Sequence, residues 1–122
     1  DQLGVVADQV GCPTSTLNLA HTCWQTLQIA DDRDVPAVMH WSDAGAASWY
    51  DVAVAVGQIG ADLGLIATPA EVQPITTEDY PTPAERPAYS LLDCTATRAA
   101  LDLKGEHWQQ ALTAVLKQAK TP

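Results

Sequence analysis

Arg86 sits in YPTPAERPAYSLLD, residues 80–93, between acidic Glu85 and the rigid ring of Pro87. A guanidinium held there presents a planar fork of donors, the shape that grips a pyrophosphate. A salt bridge to Glu85 or Asp79, or a solvated rim, explains the same residue, and the residues alone leave these readings open. Asp8 and Gln9 close the β-like run LGVVADQ, and the carboxyl ends of strands are where open α/β sheets meet their ligands. A ligand contact competes there with simple bracing of the loop by the same carboxylate and amide.

Other chemistry-bearing residues point to less. Gly57, Gly60 and Gly64 in VAVAVGQIGADLG have roughly the spacing of a loop that cradles phosphates on a helix N-terminus. Only four residues separate Gly64 from Pro69, too few for the helix such a loop requires. A glycine-bearing helix packed closely on a sheet is the favoured reading. His21, His40 and His107 lack metal spacing; His40 is expected at a strand end in a structural role, and no metal site is expected. Cys94 has no base or oxyanion donor beside it in the sequence, so it reads as a small buried residue rather than a nucleophile. Cys12, Cys23 and Cys94 are odd in number and lack CxxC spacing, which disfavours a disulfide scaffold or a zinc knuckle.

These residues need elements to hold them. LGVVAD predicts a short buried strand, and GCPT a turn punctuated by Gly11 and Pro13. Leu17, Ala20, Trp24 and Leu27 recur at helical spacing over 16–29, with Thr14 or Ser15 as the cap. The acidic run 31–34 reads as a solvated connection. VPAVMHW, residues 35–41, is a second strand candidate followed by a turn at 43–45. Ser48 with Asp51 three residues on forms an approximate capping box, ahead of Trp49, Val52, Ala53, Val56, Ile59 and Leu63 at helical spacing. Strand, helix, strand, helix reads as one crossover unit of a parallel sheet.

Five of the eight prolines fall between Thr68 and Pro87, so this segment is expected to be irregular, with short elements at most around VQPI and TTEDY. SLLD, residues 90–93, reads as extended, residues 95–101 as a brief helix. Trp108, Ala111, Leu112, Val115, Leu116 and Ala119 form the stripe of a last helix, with Glu106 at its front and Lys117 and Lys120 at its rear.

At 122 residues the chain is one domain by length. It is 47% hydrophobic and only 17% charged, too apolar for a disordered chain. The net charge of −9 argues against a broad surface for nucleic acid or anionic lipid. The excess is uneven, −7 over residues 1–70 and −2 over 71–122, so a phosphate-bearing ligand is better met by the second part. No run approaches membrane-spanning length and no leader pattern is present; the expectation is a soluble, cytoplasmic protein.

VVADQVGCPTSTLNLA, HWSDAGAASWYDVAVAV, VQPITTEDYPTPAERPAYSLLDC and HWQQAL, in that order, closely resemble the carboxyl-terminal part of the dTDP-4-dehydrorhamnose reductases, extended short-chain dehydrogenase/reductases. The likeness spans essentially the whole chain, and DQxGxPT with SWY and YPTPAxRPxxS is specific in combination. It implies an α/β fold: the C-terminal portion of a Rossmann-like parallel sheet with its helices in 1–67, and part of a small mixed substrate-binding domain in 68–122. In that family NADPH or NADH, bound by an amino-terminal Rossmann half, reduces the C4 ketone of dTDP-4-dehydro-L-rhamnose to dTDP-L-rhamnose for cell-envelope polysaccharides, with a YxxxK tyrosine as proton donor.

This chain departs from that pattern. Four residues after Tyr50, Tyr80 and Tyr89 stand Val54, Ala84 and Asp93, so YxxxK is absent, as is the glycine-rich loop. The resemblance therefore implies a reductase segment with no catalytic residue of its own, inactive alone, lining the nucleotide-sugar side of a cleft. By family matching its substrate-side residues are Asp8, Gln9, Gly11, Pro13, Thr14 and Arg86, the last on the pyrophosphate, with Tyr89 and Ser90 on the same wall; Trp49 and Trp108 are read as core packing. The partners implied are a dTDP-sugar and the Rossmann half, while a homodimer and a divalent ion stay open. The alternatives are a nucleotide-sugar epimerase or dehydratase segment, and a non-catalytic reductase-like regulatory protein. Such a segment would expose apolar faces and a bare sheet edge.

Overall fold

LGVVAD becomes strand β1 (Gln2–Val6), which runs inward from exposed Leu3 to buried Val6. The computed structural model describes residues 2–119, so Lys120 and the rear charge expected of it lie outside the described residues. After β1 come β2 (Val10–Gly11), α1 (Thr16–Ala30), β3 (Ala47–Ser48) and α2 (Trp49–Asp62). The chain then forms β4 (Glu71–Ile75), α3 (Thr95–Leu101) and α4 (Trp108–Ala119). Among the described residues this is an α/β chain with two small sheets. In one, β1 and β4 run parallel, from Gln2 opposite Glu71 to Val6 opposite Ile75. In the other, β2 and β3 run antiparallel, Val10 opposite Ser48 and Gly11 opposite Ala47.

The second strand was expected at 35–41, and the structure places it at VQPI instead. VPAVMHW is irregular: Val38 is 72% exposed, Pro36 has no N–H to give a ladder, and the His40 N–H donates to the Thr97 hydroxyl at 3.0 Å. The crossover from β1 to its parallel neighbour therefore carries both α1 and α2. Pro74 stands opposite Val5 within β4, which suits a strand paired on one side only. TTEDY is a turn closed by Asp79, whose carboxylate accepts the Thr76 N–H at 3.0 Å and its hydroxyl at 2.9 Å. SLLD is not a strand; beside it, Tyr89 makes a single bridge to Val10.

α1 is amphipathic in the opposite sense to the one its apolar stripe implies. Leu17, Trp24 and Leu27 are 54%, 61% and 63% exposed, and it is Thr22 that is buried. The polar side turns inward at low cost because its groups are satisfied: Thr22 and Thr26 donate to the carbonyls of Asn18 and Thr22, each at 2.9 Å. Ser15 is the cap, accepting from Leu17 N at 3.2 Å.

The core forms where α2 meets α4. Ala47, Ala55 and Trp108 are buried together, with Cys12, Val52, Ile59 and Leu112 packed on them. Trp108 packs as expected, but Trp49 does not: it is 63% exposed. That core takes in Cys12 and Val52 but not Trp49, which stands at the first turn of α2. Gly57 and Gly60 lie within α2, close to Pro69 and Ile66 of the connection to β4.

Candidate functional site

Val10 is the point at which three distant segments meet. On one side it pairs with Ser48 in β3; on the other its N–H donates to Ala88 O at 2.9 Å and its carbonyl accepts from Ser90 N at 2.8 Å. The start of α2, the DQVGCPT loop and the proline-rich segment are thereby laid side by side. Gly11 admits the third of these, since a Cβ there would stand 3.0 Å from the Ser90 hydroxyl.

These three segments and Trp41 enclose a cleft of about 440 Å³, within the range of small-molecule sites. Its walls are mainly Pro13, Trp41, Trp49, Val52, Pro87 and Leu92, with a few polar groups among them. Of the residues expected on the substrate side, Gln9, Gly11, Pro13, Thr14, Arg86 and Ser90 line it. A more open hollow of about 520 Å³ between α2 and α4 takes none of them.

Asp8 and Tyr89 lie off the cleft lining. The Asp8 carboxylate accepts the Thr77 N–H at 3.0 Å and its hydroxyl at 2.7 Å, and these bonds hold its pKa below the ordinary carboxylate value. Gln9 Nε2 donates to the same Thr77 oxygen at 3.1 Å. Asp8 and Gln9 thus tie the turn after β4 to the end of β1, and Gln9 does so from the cleft wall. Tyr89 is 67% exposed.

Arg86 is exposed and faces the cleft. Among the described residues it has no hydrogen-bonding or ion-pairing partner, so its five donors are free for a ligand. Two other parts of the cleft lining are well fixed. Ser48 and Asp51 complete a capping box, with the Ser48 N–H and hydroxyl donating to Asp51 at 2.7 and 2.8 Å and the Asp51 N–H donating to the Ser48 hydroxyl at 3.2 Å. Thr14 donates to Cys12 O at 3.2 Å and accepts the Asp43 N–H at 3.3 Å.

Asp43 is the residue that reasoning from the sequence passed over. Only 1% exposed, its carboxylate accepts from Ser15 N and from Asn18 Nδ2, both at 2.9 Å. Its carbonyl accepts from the Cys12 thiol at 3.0 Å and the Ser42 hydroxyl at 3.1 Å. Burial pushes the Cys12 thiol pKa up, the main cause, so a thiolate nucleophile is disfavoured in the cleft. Arg98 reaches the carbonyls of Ser42 and Asp43 at 3.2 and 3.4 Å and lies 5.7 Å from the Trp41 ring centre. The one signal in the sequence was an acid two residues before a glycine in a turn, which is too common to single out.

The glycine spacing does not make a dinucleotide-binding loop. Gly57 and Gly60 lie inside α2 and Gly64 beyond its end, so their amides form no strand-to-helix phosphate cradle. Among the described residues, no three of His, Cys, Asp and Glu gather as metal ligands, and no helix is long and apolar enough to cross a membrane.

Known proteins are similar to this chain in sequence and in fold. The chain is 37% identical over 114 residues to a dTDP-4-dehydrorhamnose reductase of Aggregatibacter actinomycetemcomitans, a match that covers 92% of the chain and 39% of that protein. A crystal structure of a dTDP-4-dehydrorhamnose reductase from Clostridium acetobutylicum superposes with a TM-score of 0.82 at 33% identity, over 99% of this chain and 40% of that one. The enzyme of the same name from Bacillus anthracis, solved in complex with NADP, has the same fold, with a TM-score of 0.82 at 24% identity over 98% of this chain and 38% of that one. The chain thus spans about two fifths of the length of the relatives it matches. With residues 1–121 matched to the family described as the RmlD substrate binding domain, the chain belongs to that family.

Proposed function

We propose that this chain is the substrate-side wall of a dTDP-4-dehydrorhamnose reductase, holding a dTDP-sugar while a nicotinamide cofactor on another part of the protein reduces the sugar ketone. The observation that carries the proposal is Arg86, unpartnered among the described residues, on the same cleft as the 9–14 loop. A guanidinium free of protein acceptors takes the pyrophosphate; Gln9, Thr14 and Ser90 offer polar contacts beside it. Asp8 shapes the wall through Thr77, and Tyr89 borders it. Family membership favours this reading over an epimerase or dehydratase segment.

In this reading the chain holds no catalytic residue. Ketone reduction needs a hydride source and an acid for the developing alkoxide, and no tyrosine here carries a lysine four residues on. Residues 1–67 supply late elements of a Rossmann-like half and residues 68–122 the substrate-binding part, with β4 returning to pair with β1. The outward apolar face of α1 is where the rest of the longer protein packs.

Calorimetry of dTDP binding to the full-length protein and its Arg86→Ala form tests the assignment. Loss of a charged hydrogen-bond partner weakens binding by roughly tenfold or more; equal affinities would overturn it.

A further inference from the structure

The cleft has two tryptophans in its wall, and only one has an open face. Trp41 is half-buried, and the Arg98 guanidinium lies 5.7 Å from its ring centre. Its Nε1 is buried without an acceptor in the protein. Trp49 is 63% exposed, lines the same cleft, and among the described residues has no ring or cation against it. An indole left this open would ordinarily mark a mobile surface side chain. Here its backbone is pinned twice, by the Ser48–Asp51 capping box immediately before it and by the pairing of Ser48 with Val10. A large π face is therefore presented from an anchored position on the cleft that Arg86 also lines.

We infer that Trp49 is a positioning and specificity residue: its indole stacks on the planar base of the nucleoside diphosphate whose phosphates Arg86 holds. The inference deepens the proposed function and rests on it. An aromatic on the same cleft as a phosphate-binding arginine suits a ligand with a charged centre and a flat, weakly hydrated end. The base is that end, and stacking tolerates any base because each has a π face. Trp49 thus adds affinity and orientation, while selection among bases falls to polar groups.

The test compares the full-length protein with its Trp49→Leu, Trp49→Phe, Trp49→Met and Arg86→Ala forms, titrated with dTDP, with inorganic pyrophosphate and with a hexose 1-phosphate. Stacking predicts that Trp49→Leu weakens dTDP on the order of tenfold, that Trp49→Phe recovers most of the loss, and that neither changes pyrophosphate or hexose 1-phosphate. Unchanged dTDP affinity in Trp49→Leu, with wild-type thermal stability, overturns the inference. So does a loss confined to hexose 1-phosphate, which would assign the indole to the sugar. A Trp49→Leu form that fails to fold, with Trp49→Phe binding dTDP as wild type but no better than Trp49→Met, also counts against stacking. Failure of the underlying reading looks different: the wild type would not bind dTDP, or Arg86→Ala would bind dTDP and pyrophosphate unchanged.

Discussion

The Asp43 carboxylate accepts the Ser15 N–H at 2.9 Å, joining the connection between α1 and α2 to the start of α1 across 28 residues of sequence. Because the acid is buried and its other oxygen accepts from Asn18, the bonds are made where water cannot replace them. They also fix the carbonyl that takes the Cys12 thiol, so the shape of the 9–14 loop depends on this pair.

Replacing Asp43 with Ala strands the Ser15 amide and takes from Asn18 one of its two acceptors, leaving it Glu106 at 3.1 Å. Bonds to a charged acceptor contribute about 1.5–3 kcal/mol each, so Asp43→Ala is expected to lose about 3 kcal/mol or more of unfolding free energy. Denaturant unfolding of both forms measures this, and a loss below about 1 kcal/mol would show the pair to be incidental.

Gly45 and Gly64 both hold positive φ, at 101° and 68°, yet their surroundings differ. A Cβ on Gly45 would lie 2.9 Å from both His107 Nε2 and Trp108 Cδ1, whereas Gly64 has nothing within 4 Å. Gly64→Ala meets only the left-handed backbone penalty, about 1–2 kcal/mol. Gly45→Ala adds displacement of the buried Trp108 and should cost clearly more, read as a larger fall in melting temperature.

Asp8 links stability to acid pH. Its bonds from the Thr77 N–H, the larger cause, and from the Thr77 hydroxyl place its folded pKa below the ordinary 3.8. The stabilisation is accordingly whole above 3.8, and it fades as pH falls through the lower folded value. Asp8→Asn should be less stable than wild type at neutral pH, by an amount that does not vary with pH there. The two melting curves should converge at the acid end, and a deficit that grows on acidification would reverse the assignment.

The three thiols should separate by reactivity. Cys23 is exposed on α1, Cys94 is 3% exposed, and Cys12 is half-buried with its pKa raised by burial. Mass spectrometry after brief maleimide treatment at neutral pH should find Cys23 modified first and Cys94 last.

Local signals were legible wherever neighbours in sequence decide the outcome. The Ser48–Asp51 cap, the 95–101 helix and the α4 helix with Trp108 and Ala111 buried follow from spacing, although Val115 and Ala119 of its stripe are exposed; DQxGxPT with YPTPAxRP pointed to the family. Other features were hidden because their causes lie far off in the chain. Residues 35–41 look like a strand but are irregular, with the His40 N–H on Thr97; a short element was expected around VQPI, but not that it would be the parallel partner of β1. Trp49 carries the helical spacing of a core residue, and its exposure depends on where the core ends. Likewise, α1 reads as core-facing on its apolar side because sequence periodicity shows that a face exists, not what covers it.

The central claim is that the cleft between the 9–14 loop, the start of α2 and the proline-rich segment is a nucleotide-sugar site. The most direct measurement is a crystal structure of the full-length protein with a bound dTDP-sugar. The account predicts the diphosphate on Arg86 and the base against the Trp49 indole. A dTDP-sugar bound elsewhere, with Arg86 and the 9–14 loop untouched, would contradict it.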